Sequence, residues 1–234
     1  MIGFLIIATN HYVEYAKKLV HSIKSNIYTD EVKFFCFSNK TVDGCTNFPI
    51  QHIPWPMTTL LRYHYFMKYW KEISGVDYLY YIDADMRVVG PIDDHILSDF
   101  VVTEHPGFYG KKSTAFPLES HPHSMARVKS NAVSKYYVGA FQGGKREFFG
   151  EMSYMISEAI EQDLLSNYIA VYHDESHLQR FALSNPPTKI LSPAYCMPEI
   201  IDDPTCYHPQ VAQMDFDVRV LALKKPNPIL FRKG

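Results

Sequence analysis

Charge of one sign is not in excess in this chain: 23 Lys and Arg stand against 25 Asp and Glu, a formal net charge of −2 over 234 residues. A nucleic-acid binder carries a basic field, so nucleic acid is not expected among its partners. Cysteine is sparse. Cys36, Cys45, Cys196 and Cys206 form no C-x-x-C pair, which argues against a zinc site, and a chain this long needs no disulfide framework. They read as reduced thiols of a cytoplasmic protein. No apolar run approaches the roughly 18 residues of a membrane span, and Met1 to Ala8 has no basic segment before it, so neither anchor nor signal peptide is expected. There is no low-complexity tract, no internal repeat and no glycine-rich phosphate fingerprint after the first strand. A dinucleotide-type Rossmann fold is thereby disfavoured.

What is present is 47% hydrophobic residues, enough for a sizeable core, and 15% aromatics, including 17 tyrosines. Ile2 to Ala8 reads as a buried strand, Val13 to Ile23 as a helix by its 3.6-residue apolar spacing, and Val32 to Phe37 as a second strand. That order implies a βαβ unit and a parallel sheet. Phe48 to Pro56 reads as extended loop and Thr58 to Lys71 as a helix carrying Arg62. That residue is either a surface arginine or one that reaches a phosphate region.

Val76 to Ile82 is dense in aromatic and β-branched residues and runs into Asp83-Ala84-Asp85. If the backbone stays extended there, both carboxylates project to one side. Ligands of open α/β sheets sit beyond the carboxyl ends of strands, and two adjacent carboxylates suit a hard, oxygen-seeking cation. The pair therefore reads as a metal-diphosphate site, or else as a solvated acidic turn. The motif alone is too common to decide.

Further on, Phe100 to Thr103 reads as a strand and Lys111 to Lys135 as a polar, solvated loop. Tyr136 to Phe141 reads as a strand broken at Gly139 and ended by Gly143-Gly144. Arg146 to Leu165 is an amphipathic helix with a buried stripe of Phe148, Phe149, Met152, Met155, Ile156, Ala159 and Ile160. Ala170 to Tyr172 reads as a short strand before a helix opened by His173-Asp174-Glu175-Ser176-His177. Those acids either cap the helix or do chemistry. Lys189 to Leu191 and Val218 to Leu223 complete the strands, and a basic tail follows.

Five stretches then become familiar together: V-D-Y-L with I-D-A-D-M, H-P-G-F-Y-G at 105–110, Y-Y-V-G-A-F-Q-G-G at 136–144, H-D-E-S-H-L at 173–178 and P-T-K-I-L-S-P-A-Y at 187–195. In this order they resemble glycosyltransferase family six, the group of blood-group A and B transferases and α-1,3-galactosyltransferases, in its bacterial or phage form. The resemblance implies an α/β, GT-A-type Rossmann-like mixed sheet flanked by helices in a single domain. Residues 1–90 would be mainly nucleotide-binding, 91–223 mainly for sugar and acceptor, and 224–234 a flexible basic tail. It implies UDP-galactose or UDP-N-acetylgalactosamine as donor, a galactoside glycan as acceptor, and retaining α-1,3 transfer.

By the same resemblance Asp83 and Asp85 hold Mn2+ (or Mg2+), and Ile7, Ala8, Thr9 and Tyr12 form the uracil and ribose pocket. Arg62, Ala84, Val138, Gly139, Ala140 and Asp174 line the donor sugar, Lys224 and Lys225 fold over the diphosphate, and Glu175 is catalytic. His105, Glu119, Tyr172 and Glu199 face the acceptor. The family's animal members carry an anchor and stem, which this sequence lacks, so a soluble bacterial or viral enzyme is expected. Two alternatives remain: another GT-A-type nucleotide-sugar enzyme without the Glu175 role, or a non-catalytic glycan-binding module on the same scaffold.

Overall fold

The structure is a computed structural model, and it describes residues 1–29, 31–199 and 215–224. Its centre is a seven-stranded mixed sheet. β1 (Ile2–Ile7) is buried along its whole length, which explains why its sequence is apolar without alternation. Phe4, Ile6 and Ala8 pack on one face with α1 (Tyr12–Asn26), while Leu5 and Ile7 join the core on the other. β2 (Val32–Ser38) divides its residues in the same way, Phe34 and Cys36 against Phe35 and Phe37. β3 (Thr46–Pro49) follows, then two short helices, α2 (Met57–Leu60) and α3 (Arg62–Lys68).

β4 (Tyr78–Ile82) lies beside β1, and β5 (Met86–Val88) follows after a turn. Next come β6 (Phe100–Glu104), β7 (Tyr137–Lys145), α4 (Arg146–Leu165), α5 (His173–Ser184) and β8 (Lys189–Leu191). β9 (Met197–Pro198) and β10 (Val220–Ala222) pair with β5 in a small second sheet, ordered β5-β10-β9. The main sheet runs β3-β2-β1-β4-β7-β6-β8. Strands β1 to β4 are mutually parallel, β7 is antiparallel to both β4 and β6, and β8 is parallel to β6. Among the described residues no helix is long and apolar enough to cross a membrane. Cys36, Cys45 and Cys196 are free thiols, as expected, and Cys206 lies outside the described residues.

The expected α/β mixed sheet with flanking helices is the fold observed, and α4 has the bounds its periodicity predicts. Several local expectations change. Part of the expected 48–56 loop is the edge strand β3, which ends at Pro49 because proline cannot continue a ladder. The expected 58–71 helix is two helices that part at Leu61. Ala170 to Tyr172 is a turn: the Val171 N–H goes to the Glu119 carboxylate and the Tyr172 N–H to Ser176 Oγ, so no strand partner is needed. Met155 leaves the buried stripe and is about half exposed. Residues 83–85 also turn rather than extend, since the Met86 N–H closes back on the Asp83 carbonyl at 3.1 Å.

β7 is the informative departure. It does not end at Gly143-Gly144 but runs through them to Lys145. A Cβ on Gly143 would lie 2.2 Å from the Leu79 carbonyl oxygen, and one on Gly144 2.0 Å from that of Asp99. These glycines let three backbones pack closely, and Gly144 also sits at φ +145°, where side chains are rare. The suspected break at Gly139 is a register shift: Val102 pairs with Gln142 but Thr103 with Val138, leaving 139–141 without a partner on β6. We expect Gly144→Ala to cost about 2–4 kcal/mol, seen as a Tm loss of ~5–15 °C by circular dichroism. Gly110→Ala, where a Cβ meets nothing within 4 Å, should lose at most a few degrees despite its φ of +69°. Equal losses at the two sites would refute the packing role.

Candidate active site

The carboxyl ends of β1 and β4, the part of β7 that lacks a partner on β6 and the start of α5 enclose a cavity of about 880 Å³. Its walls are Ile7 and Thr9 after β1, Tyr12 of α1, His52 to Trp55 with Thr58, Thr59 and Arg62, then Tyr81 and Asp83 to Asp85, Val138 to Ala140, and Val171 to Glu175. Four carboxylates (Asp83, Asp85, Asp174 and Glu175) thus share this cavity with one guanidinium.

That guanidinium is buried, Arg62 being 3% exposed. Its Nε lies 3.0 Å from Asp174 Oδ2 and its Nη2 3.5 Å from Asp83 Oδ1. Nη1 donates to the Gly139 carbonyl at 2.7 Å, and the group stacks 4.1 Å from the centre of the Tyr81 ring. Burial opposes its charge, but Asp174, Tyr81 and Asp83 outweigh burial and raise its pKa above the ordinary value. The Tyr81 hydroxyl also donates to Asp83 Oδ1 at 2.5 Å. Asp83 is therefore oriented from two sides, and its backbone N–H is fixed on the Ala140 carbonyl at 2.9 Å.

On the opposite wall Asp174 and Glu175 occupy the first turn of α5, where exposed N–H groups favour acidic side chains. The chain enters this turn through His173 at φ +51°. Burial pushes both carboxyls up to about 7, with Arg62 restraining Asp174 and the Gly139 N–H restraining Glu175. That N–H donates to Glu175 Oε2 at 2.7 Å. A Cβ on Gly139 would stand 3.2 Å from Asp174 Oδ2, so this position leaves little room for a side chain between strand and helix.

The structure brings Ile7, Thr9, Tyr12, Arg62, Asp83, Ala84, Asp85, Val138, Gly139, Ala140, Tyr172, Asp174 and Glu175 around one space. Ala8 is fully buried in the core between two lining residues. His105 lies apart, with Nδ1 accepting from the Gly107 N–H at 3.0 Å and its ring against Phe108 and Tyr136. Glu119 is buried behind the wall and accepts from the His121 and Val171 N–H groups and the Tyr168 hydroxyl. Glu199 pairs with Arg87 at 3.0 Å and accepts the Lys224 N–H at 3.1 Å. Lys224 follows β10 directly after Leu223, whose N–H donates to the Asp85 carbonyl at 2.9 Å, so the last described residue stands next to the acidic turn in sequence and space. Lys225 lies outside the described residues.

Sequence reasoning missed Tyr81, His52, Trp55 and His173. Tyr81 was within reach, because it stands two residues before Asp83 on the same strand face. His52, whose Nδ1 is 2.8 Å from Thr9 Oγ1, carries no local signal.

A carboxyl whose pKa is raised on folding stabilises the fold below its unfolded value near 4.5, and that stabilisation is lost as pH rises through about 7. Glu175→Gln abolishes the change of charge. Its Tm relative to the parent should therefore rise by several degrees between pH 5 and pH 8, while the pair nearly coincide at pH 5. A Tm difference independent of pH, measured by scanning calorimetry, would contradict the buried, proton-poised carboxyl.

Known proteins with similar sequences give the chain its family. Residues 1–215 match the family model for Glycosyltransferase family 6. The rat Histo-blood group ABO system transferase 2 is 38% identical over 120 residues, 51% of this chain and 36% of that protein. The O-antigen biosynthesis glycosyltransferase WbnI of Escherichia coli is 31% identical over 147 residues, 62% of each chain. The human Globoside alpha-1,3-N-acetylgalactosaminyltransferase 1 is 29% identical over 208 residues, 83% of this chain and 60% of that one. The aligned region is thus between about a third and two thirds of each relative's length. With nearly the whole chain under the family model and both acid pairs in one cavity, this protein belongs to glycosyltransferase family 6.

Proposed function

We propose that the protein is a retaining, metal-dependent glycosyltransferase moving galactose or N-acetylgalactosamine from a UDP-sugar to a β-galactoside, fucosylated or not, in α-1,3 linkage. The observation that carries this reading is the meeting of Asp83 and Asp85 with Asp174 and Glu175 across one cavity, bridged by Arg62. A bare glycan-binding module needs no such pair of acids facing another. The relatives support the substrate class: one is by name an α-1,3-N-acetylgalactosaminyltransferase of globoside, and another acts in O-antigen biosynthesis.

The metal reading rests on charge. A diphosphate is itself anionic, so the Asp83 and Asp85 carboxylates would repel it unless a cation intervened, Arg62 being already paired with Asp83 and Asp174. Among the described residues no cluster of three or more ligating side chains occurs. Two carboxylates fit a hard cation that completes its oxygen shell from diphosphate and water. Asp83 and Asp85 would hold Mn2+ or Mg2+, which neutralises charge developing on the departing UDP. Lys224, next to Leu223 whose N–H meets the Asp85 carbonyl, would add positive charge beside that turn, and Lys225 is assigned the same role.

The chain's own groups do the rest. Thr9, Tyr12 and Ile7 receive the nucleoside at the end of β1. Asp174, held by Arg62, orients the sugar hydroxyls, and the Ala140 methyl narrows the wall in a way that favours galactose. Glu175 faces the anomeric carbon, as nucleophile or as electrostatic partner of an oxocarbenium-like transition state. Tyr172 offers a ring for the acceptor galactose.

UDP release should therefore need both a galactoside acceptor and Mn2+, and EDTA should abolish it. Asp83→Asn and Asp85→Asn should each lose at least about a hundredfold of the Mn2+-stimulated rate, and Glu175→Gln a comparable factor of kcat with UDP affinity little changed. No release from UDP-galactose or UDP-N-acetylgalactosamine with lactose or fucosyl-lactose would favour the binding module. Release unaffected by Glu175→Gln would favour another nucleotide-sugar enzyme.

A further inference from the structure

One buried phenol beside the turn that carries Glu175 has no task in that chemistry. Tyr136, immediately before β7, is 1% exposed, and among the described residues its hydroxyl meets no well-aligned hydrogen-bond partner. Its ring is held in place. Phe108, His105 and Phe116 surround it with ring centres 5.0, 5.8 and 5.9 Å away, and its carbonyl accepts the His105 N–H at 2.8 Å. A buried hydroxyl left without a partner costs stability, so its retention calls for a use.

The group it acts on is the Glu175 carboxyl. Tyr136 stands just ahead of Gly139, whose N–H donates to Glu175 Oε2 at 2.7 Å. Burial, and after it Glu175, hold the phenol pKa far above its ordinary value, so the hydroxyl keeps its proton and is a donor. On Glu175 burial raises the pKa, while the Gly139 N–H and then the Tyr136 hydroxyl lower it. Asp174 and Arg62 act on this carboxyl less and in opposite directions, and Tyr63 and Cys196 also lie within its field. Hydrogen bonds of an active site are often poorly aligned before substrate binds and tighten in the complex.

We infer that Tyr136 is a positioning residue for Glu175: its hydroxyl donates to the carboxylate and, with the Gly139 N–H, keeps that acid ionised and aimed at the sugar. The inference rests on the glycosyltransferase reading and deepens it by a second donor. Its test is Tyr136→Phe, which removes one oxygen and leaves the ring in its aromatic cage, so Tm at pH 5 should stay within about 2 °C of the parent. The kinetic readout is kcat for UDP release with Mn2+, UDP-galactose and lactose between pH 5.5 and pH 9. Without the donor the ionised carboxylate is harder to form, so the acid limb of the profile should move up by about one pH unit. At pH 6.5 kcat should fall by about tenfold, and by pH 9 it should return towards the parent, with KM for the donor little changed. In the Glu175→Gln background the same substitution should cost nothing further, because there is no charge left to hold.

A loss equal at every pH, an acid limb that does not move, or a loss that persists in the Glu175→Gln background would overturn the inference while leaving the proposed activity intact. Absence of transfer by the unsubstituted protein to any galactoside would overturn the activity and this inference together.

Discussion

The buried ion pair between Arg62 and Asp174 is the constraint on which the rest depends. Both groups are at most 3% exposed, and neither charge is tolerable there without the other. Removing either from such a pair costs about 3–5 kcal/mol. Because the guanidinium also faces Asp83 and binds the Gly139 carbonyl, it ties α3 to the end of β4, to the bulged part of β7 and to the first turn of α5. One side chain therefore sets the distance between the acidic turn and the first turn of α5, which we propose to be catalytic. An active site assembled from four elements needs such a common reference point, since transfer depends on placing the leaving group and the stabilising carboxylate together.

The sheet around this clamp is built to let backbones meet. Gly143 and Gly144 bring β7 hard against β4 and β6, and the register shift leaves Gly139 and Ala140, which line the cavity, without a partner on β6. Glu175 is held by a backbone N–H from that stretch, with the Tyr136 hydroxyl also acting on it. Its environment keeps the carboxyl near the point of protonation at neutral pH, the range in which a group can change its role during a reaction.

Much of this was legible in the sequence where the pattern is local. Twenty residues of helical periodicity gave α4 its bounds, and the unbroken apolar run of β1 announced a strand covered on both faces. That the two acid pairs share one site was legible once five stretches stood in order, and they line one cavity. The turn at 170–172 was not, because its backbone is satisfied by Glu119, some fifty residues away, and by Ser176. Arg62 could have been any exposed helical arginine; only the break at Leu61 and the pairing with Asp174 bury it. His52 reaches Thr9 across more than forty residues, a distance over which spacing is silent. Strands β5 and β9, at three and two residues, are too short for alternation to register.

The most direct test of the account is a crystal structure with Mn2+ and a non-transferable UDP-galactose analogue. The account predicts the diphosphate on the metal at Asp83 and Asp85, the anomeric carbon within contact of the Glu175 carboxylate, and Arg62 still joined to Asp174. A diphosphate bound away from that acidic turn, or a sugar whose anomeric carbon faces away from Glu175, would contradict it.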